Sequence, residues 1–249
     1  MTADTNPQRI AKIIAAAGVC SRRDAERLIG QGRVAVNGKT LDTPATLVTA
    51  ADRIEVDGVV IGQTPTRTRL WVYHKPAGLV VSHRDEQGRD TVFDHLPANF
   101  PRVVSVGRLD LSSEGLLLLT TDGGFARQLE LPDNALERVY RVRVRGVPSD
   151  KHLYMLSNGL EIEGVRYQPI HVVAEAEKDG RNQWLTLTLT EGKNREIRRI
   201  FEHFDYPVSR LIRTAYGPFE LADLKPGNAR EVPHAQVNKL MQSLDVSGE

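Results

Sequence analysis

The sequence predicts an α+β protein with a small N-terminal domain and a larger C-terminal one, and three observations carry that expectation. Helical periodicity with cap signals dominates residues 9–32 and gives way to short β-like pieces. Beyond residue 69 the chain is rich in strands that alternate apolar and polar residues, with helical stretches between them. Between these parts, Gln63 to Arg69 lacks apolar periodicity and holds Pro65, so it reads as a linker. The expected division is a flexible tail at 1–8, domains at 9–62 and 70–244, the linker at 63–69 and a tail at 245–249. Two domains also suit a chain of 249 residues, longer than the usual single domain.

In the first domain Ile10, Ile13, Ile14 and Ala17 have helical spacing, and Gly18 is a natural stop. Ser21 can cap a second helix, with Asp24 three positions on as in a capping box. Arg33 to Val36 alternates as a strand and meets Asn37-Gly38, the strongest two-residue hairpin signal. β-like pieces follow at Thr46 to Val48 and Arg53 to Val60. Arg22, Arg23 and Arg27 lie on or beside the second helix, and Arg33 and Lys39 flank the hairpin. This pattern suits either a phosphate-binding surface at a helix N-terminus or a solvated basic face.

The second domain opens with an aromatic-rich strand, Leu70 to His74, then Lys75 to Gly78 as a turn and Leu79 to Val81 as a return strand. Lys75 either contacts phosphate or solvates that turn. Val92 to Leu96 predicts a short helix and Val103 to Val106 a strand that delivers Gly107 to Asp110. Four leucines, Leu116 to Leu119, leave no residue for a solvent face, so a strand buried on both sides is expected. Asp110 then sits on a loop held against a rigid strand, as a catalytic carboxylate or as an ordinary turn residue. Phe125 to Leu131 reads as a helix. Arg138 to Arg145 alternates, with Tyr140, Val142 and Val144 on one face and Arg141, Arg143 and Arg145 on the other. Three like charges on one strand face repel one another, which favours a polyphosphate neighbour, although water also suffices. Pro148 to Gly159 predicts a helix and connector, and Trp184 to Leu189 a strand. Ile197, Ile200, Phe201 and Phe204 form a helical stripe with Arg198 at its apolar edge, where a guanidinium is costly unless it meets a carboxylate such as Asp110. Val237, Leu240 and Met241 suggest a closing helix.

Composition narrows the chemistry. With 33 Lys+Arg against 32 Asp+Glu the net charge is +1, so any basic surface is local. Cys20 is the one cysteine, which excludes an intramolecular disulfide and a multi-cysteine metal site. The seven histidines are scattered, and no metal site is expected. There is no nucleophile elbow, no Walker loop and no dinucleotide fingerprint. No run approaches transmembrane length, and the polar start lacks a signal peptide, so a cytoplasmic protein without membrane partners is expected. A carboxylate, a strand tyrosine, an edge arginine and basic patches suit chemistry on a nucleotide without cofactor.

Ala17 to Arg23 and Gly32 to Lys39 resemble the αL RNA-binding motif of the fourth small-subunit ribosomal protein and its relatives. The larger domain is similar to the pseudouridine synthases that modify ribosomal RNA. The likeness rests on His74 to Gly78, Gly107 to Gly123, Arg138 to Val142, Gly192 to Arg199 and Val208 to Gly217. Arg138 stands where many relatives have Lys, and His74 where many have Asn. The resemblance implies a catalytic domain built on a mostly antiparallel mixed β-sheet with flanking helices. It implies Asp110 as the catalytic aspartate, Tyr140 stacked on the uracil and assisting C5 deprotonation, Arg198 paired with Asp110, and Leu211 packed beside the site. Arg108 is expected to fill the space a flipped base leaves or to grip the backbone. Lys75, Lys193, Arg195, Arg22, Arg23, Arg27 and Lys39 are expected RNA contacts. The implied partner is ribosomal RNA, free or precursor, and the implied reaction is isomerisation of a uridine in large-subunit (23S) RNA by a monomer. The alternatives are a synthase for small-subunit or transfer RNA, or a non-catalytic rRNA-binding assembly factor. The joint presence of Asp110, Tyr140 and Arg198 counts against the last.

Overall fold

The computed structural model describes residues 7–62, 67–175 and 181–246; residues 1–6, 63–66 and 247–249 of the expected tails and linker lie outside them. The chain divides into two units, one reaching to Thr68 and taking in Thr121–Gly123, the other formed by Arg69–Thr120 and the residues from Gly124 onward.

The first unit contains β1 (Gln8–Arg9), α1 (Ile10–Ala16), α2 (Arg22–Gly30), β2 (Val34–Val36), β3 (Lys39–Thr40), β4 (Leu47–Val48), β5 (Ile54–Val56) and β6 (Val59–Ile61). Gln8, in the expected tail, pairs with Val48 across β1 and β4. The Ser21 hydroxyl accepts the Asp24 amide at 3.1 Å and donates to its carboxylate at 2.7 Å, which fixes the start of α2. Ile10, Ile14, Ala25, Ile29, Val34 and Ile54 are fully buried and form the core of this unit. The expected run from Arg53 to Val60 is two strands. Asp57 and Gly58, both at positive φ, turn the chain back as Asn37 and Gly38 do between β2 and β3.

The second unit contains β7 (Leu70–Lys75), β8 (Val104–Val106), β9 (Glu114–Thr120), α3 (Gly123–Glu130), β10 (Arg138–Arg145), α4 (Asp150–Asn158), β11 (Leu160–Ile162), β12 (Val165–Tyr167), β13 (His171–Ala174), β14 (Asn182–Leu189), α5 (Glu196–His203), β15 (Val208–Tyr216), β16 (Phe219–Glu220), β17 (Ala229–Glu231) and α6 (His234–Val246). Seven strands run in the order β13-β14-β10-β15-β9-β7-β17, with β8 beside β9 and β16 beside β15. All pairs are antiparallel except β15 with β9, so the sheet is mixed and mostly antiparallel. The leucine run is buried on both sides as its composition requires. Leu117 and Leu119 enter the core beneath α5, and Leu116 and Leu118 enter the core shared with α3 and α6.

One expectation fails here, and one strand was not expected. Leu79 to Val81 forms no return strand; only a bridge from Val80 to Thr91 exists, and the neighbours of β7 are β9 and β17. Leu79 and Val81 are buried as side chains in the core, which accounts for their apolar character without a ladder. The structure also contains β15, a central strand, where the sequence shows no clean alternation. Arg213 on β15 is buried although its type suggests solvent.

The single parallel junction depends on one glycine. Gly115 has φ of +103°, and a Cβ there would sit 2.2 Å from the Arg213 carbonyl oxygen. Gly115→Ala is therefore expected to lower unfolding free energy by about 3 kcal/mol, from close contact plus backbone strain, in urea titration. A loss below about 1 kcal/mol would show that the β9–β15 crossing can relax.

Candidate active site

Asp110 lies on the loop between β8 and β9, and the loop is held from several sides. Gly107 turns the chain in the left-handed region, and its amide donates to Glu130 Oε1 at 2.7 Å. The Ser113 amide donates to the Asp110 carbonyl at 3.0 Å, and the Gly78 amide to the Leu111 carbonyl at 2.8 Å. The Lys75 ammonium donates to the carbonyls of Ser113 (2.9 Å), Pro76 (3.0 Å) and Leu111 (3.4 Å). Lys75 is fully buried. Burial pulls its ammonium down to about 8, against the attraction of Asp110 and Glu114. The expectation that Lys75 contacts RNA is therefore corrected: it is enclosed behind the loop, and all three contacts are backbone carbonyls. His74 is also accounted for, since its Nδ1 donates to the Leu224 carbonyl at 2.6 Å and anchors the end of β7.

Arg198 reaches the same loop from α5. Its Nη2 donates to the Ser112 carbonyl at 3.2 Å and its Nη1 to the Val208 carbonyl at 3.2 Å. Nε lies 3.9 Å from Asp110 Oδ2 and is buried without a hydrogen-bond partner among the described residues. Arg195, in the left-handed region just before α5, brings Nη1 to 3.8 Å from the same oxygen. Burial, then the Arg195 charge, lowers the proton affinity of the Arg198 guanidinium, while Asp110 and Glu202 oppose them. A nearly buried cation thus faces a carboxylate that keeps 29% of its side-chain surface exposed.

These groups open on a cleft of about 960 Å³ lined by Asp110, Tyr140, Arg198, Leu211 and Arg213 among others. Tyr140 on β10 is 9% exposed, and Leu211 on β15 is 5% exposed. Arg108, Lys193 and Arg195 also line the cleft and are exposed. Lys193 is ion-paired to Glu191 and lies 5.7 Å from the Tyr167 ring centre. Arg22, Arg23, Arg27 and Lys39 are exposed on the first unit, with Arg27 paired to Asp24 at 3.1 Å.

Two site features escaped the sequence. Arg213 stands two residues beyond Leu211 on β15 and so shares its face, a parity that would have identified it. It donates to the Leu116 carbonyl at 2.7 Å, while its Nη2 is buried without a hydrogen-bond partner among the described residues. Its guanidinium lies 5.1 Å from the Tyr216 ring centre and 6.0 Å from that of Tyr140. It offers a donor to whatever fills the cleft. The second is Glu196, 3% exposed, which accepts the Lys193 amide at 3.0 Å. Burial and the adjacent Glu191 carboxyl push it up to about 8. Its bond to the Lys193 amide ties the loop before α5 to the first residue of that helix. No group of three or more metal-ligating side chains occurs among the described residues, and no described helix is long and apolar enough to cross a membrane.

Known proteins resemble this chain over most of its length. A model of the RNA pseudouridylate synthase family matches residues 69–203, and one of the S4 domain matches residues 8–54. The chain is 51% identical over 232 residues to a Rickettsia felis protein named "uncharacterized RNA pseudouridine synthase", covering 93% of this chain and 100% of the relative. It is 39% identical over 248 residues to the ribosomal large subunit pseudouridine synthase B of Yersinia pestis, covering 97% and 78% respectively. With the Bacillus subtilis protein of the same name the identity is 36% over 239 residues, covering 96% and 97%. A crystal structure of a pseudouridylate synthase shares the fold at TM-score 0.65 and 24% identity, over 93% of this chain and 99% of that one.

The Glu196 carboxyl makes stability pH-dependent in a defined sense. Its folded-state affinity for a proton exceeds the ordinary one of 4.5, so its contribution is complete below about 4.5 and is lost as pH rises through about 8. Thermal unfolding of wild type, compared with Glu196→Gln, is expected to show Tm falling relative to the variant across that window. Parallel Tm curves would place the proton elsewhere.

Proposed function

The chain belongs to the RNA pseudouridylate synthase family, and we propose that it isomerises a uridine of large-subunit ribosomal RNA to pseudouridine with Asp110 as the reacting carboxylate. The observation that carries this reading is the carboxylate itself, partly exposed at a cleft and faced by Arg198 and Arg195 at 3.9 and 3.8 Å. Two relatives named for the large ribosomal subunit, at 39% and 36% identity, support the choice of RNA. The S4 domain match supports docking of RNA by the first unit, through Arg22, Arg23, Arg27 and Lys39.

The target nucleotide leaves its stack, at a cost of a few kcal/mol, and its uracil enters the cleft. Ionised Asp110 acts on the sugar, as a base toward the 2′ proton or as a nucleophile at C1′, and the N-glycosidic bond breaks. The uracil turns between Tyr140 and Leu211, and C5 bonds to C1′ as Asp110 returns the proton to C2′ or is displaced from C1′. C5 then gives up its proton, with Tyr140 assisting, and N1 gains one. The reaction is atom-balanced and draws on no external electron or group donor. The guanidinium groups of Arg198 and Arg195 place positive charge beside the Asp110 carboxylate. Arg108, Lys193 and Arg195 at the cleft rim meet the RNA backbone or the space left by the base.

Asp110→Asn is expected to abolish pseudouridine formation in a 23S transcript, by at least about 10³-fold, while RNA affinity changes less than about threefold. Retained turnover would remove Asp110 from the reaction. Arg22→Glu/Arg23→Glu is expected to raise KM for the transcript by about tenfold or more with kcat little changed. An unchanged KM would remove the first unit from docking.

A further inference from the structure

The cleft occupies one face of the large sheet, and the opposite face carries a charge pattern that the reaction does not use. On that face Arg141, Arg143 and Arg145 project from β10 at every second residue, about 6.6 Å apart along the strand. In register, Arg143 stands opposite Arg210 on β15 and opposite Trp184 on β14. α3 and α6 bury this same face where β7 and β9 lie, through Leu116 and Leu118. Over β10 and β14 the side chains stay open. Arg141, Arg145 and Arg210 are exposed, and Val173 on β13 retains 50% of its surface.

Two of the four arginines are neutralised. Arg141 forms a two-pronged pair with Glu175 at 2.6 and 2.8 Å and lies 4.2 Å over the Trp184 ring, and Arg210 pairs with Glu114 at 2.9 and 3.0 Å. Arg143 and Arg145 have no ion pair among the described residues. A cation directly opposite another is destabilising; Glu114 offsets this for Arg210, which leaves Arg143 and Arg145 without an acidic partner among the described residues. An anion that bridges those two would supply one. Strand spacing of the charges is close to that of successive phosphates in an extended nucleic-acid backbone, and the partly buried Trp184 indole lies beside them under Arg141.

We infer that this open sheet face, centred on Arg143 and Arg145 with Trp184, is a second RNA-contact surface that grips the phosphate backbone of the substrate away from the modified nucleotide. It rests on the reading that RNA is the substrate, and it adds a contact on the side of the sheet remote from Asp110. Because the contacts are to phosphate, they add affinity without sequence preference and weaken with salt.

The test uses the full-length protein, a fluorescein-labelled RNA duplex of two helical turns, and anisotropy titrations across a series of KCl concentrations. Arg143→Glu/Arg145→Glu is expected to weaken duplex binding at least about fivefold, and to reduce the slope of log affinity against log salt by more than about 1. Lys151→Glu/Lys239→Glu, which changes net charge equally, is expected to leave both nearly unchanged. With protein in excess over a 23S transcript, the single-turnover rate of the Arg143/Arg145 variant should equal wild type. Equal weakening by both variants would reduce the effect to net charge and overturn the inference. Unaltered binding by the Arg143/Arg145 variant would overturn it too, and a folded variant is verified by an unchanged Tm. Wild type that binds the duplex but makes no pseudouridine would instead sink the proposed reaction while leaving this surface intact.

Discussion

The geometry of the site depends on a buried ammonium. Lys75, at the end of β7, gathers the carbonyls of Pro76, Leu111 and Ser113, and those three oxygens define the loop that carries Asp110. Enclosing a lysine costs several kcal/mol. Charge-assisted hydrogen bonds of roughly 1.5–3 kcal/mol each offset that cost, as does attraction to Asp110 and Glu114. Arg198 completes the bracket from the other side through the Ser112 carbonyl. The loop backbone is thereby held by two cations while the Asp110 side chain, which neither hydrogen-bonds, remains free to act at the cleft. In the proposed reaction the base turns through a large angle, and a carboxylate on a loop held in this way would serve as its fixed reference point.

Much of this was legible in the residues because burial leaves compositional traces. Leu116 to Leu119 admit no solvent face, and the structure buries them on both sides. Arg198 at the edge of an apolar helical stripe called for a carboxylate, and Asp110 is within 3.9 Å. Asn37-Gly38 marked its hairpin. What stayed hidden has common physical causes. Lys75 follows a strand and precedes Pro-Ala-Gly, so its type and place suggest an exposed turn; only backbone carbonyls, which carry no sequence signature, made burial tolerable. The central strand β15 was obscured by Arg213, whose charge breaks the apolar alternation although it sits 3% exposed between aromatic rings. The strands β11 to β13 are three or four residues long, too short for periodicity to register.

The same β10 strand divides the labour of the sheet. Tyr140, Val142 and Val144 point to the core and cleft, and Arg141, Arg143 and Arg145 to the other side. Alternation therefore does two things at once: it seats Tyr140 in the lining of the cleft, and it sets a row of cations on the opposite face. With the arginines of the first unit, the protein presents several separated cationic surfaces although its net charge is only +1. A polyanion would then be held by a sum of local contacts rather than by a global field.

The most direct measurement of the central claim is a map of pseudouridines across all ribosomal RNA from cells with and without this gene. The account predicts that at least one large-subunit position loses its pseudouridine in the deletion, that small-subunit positions keep theirs, and that the wild-type gene restores the loss. An unchanged map, or a loss confined to small-subunit or transfer RNA, would contradict it.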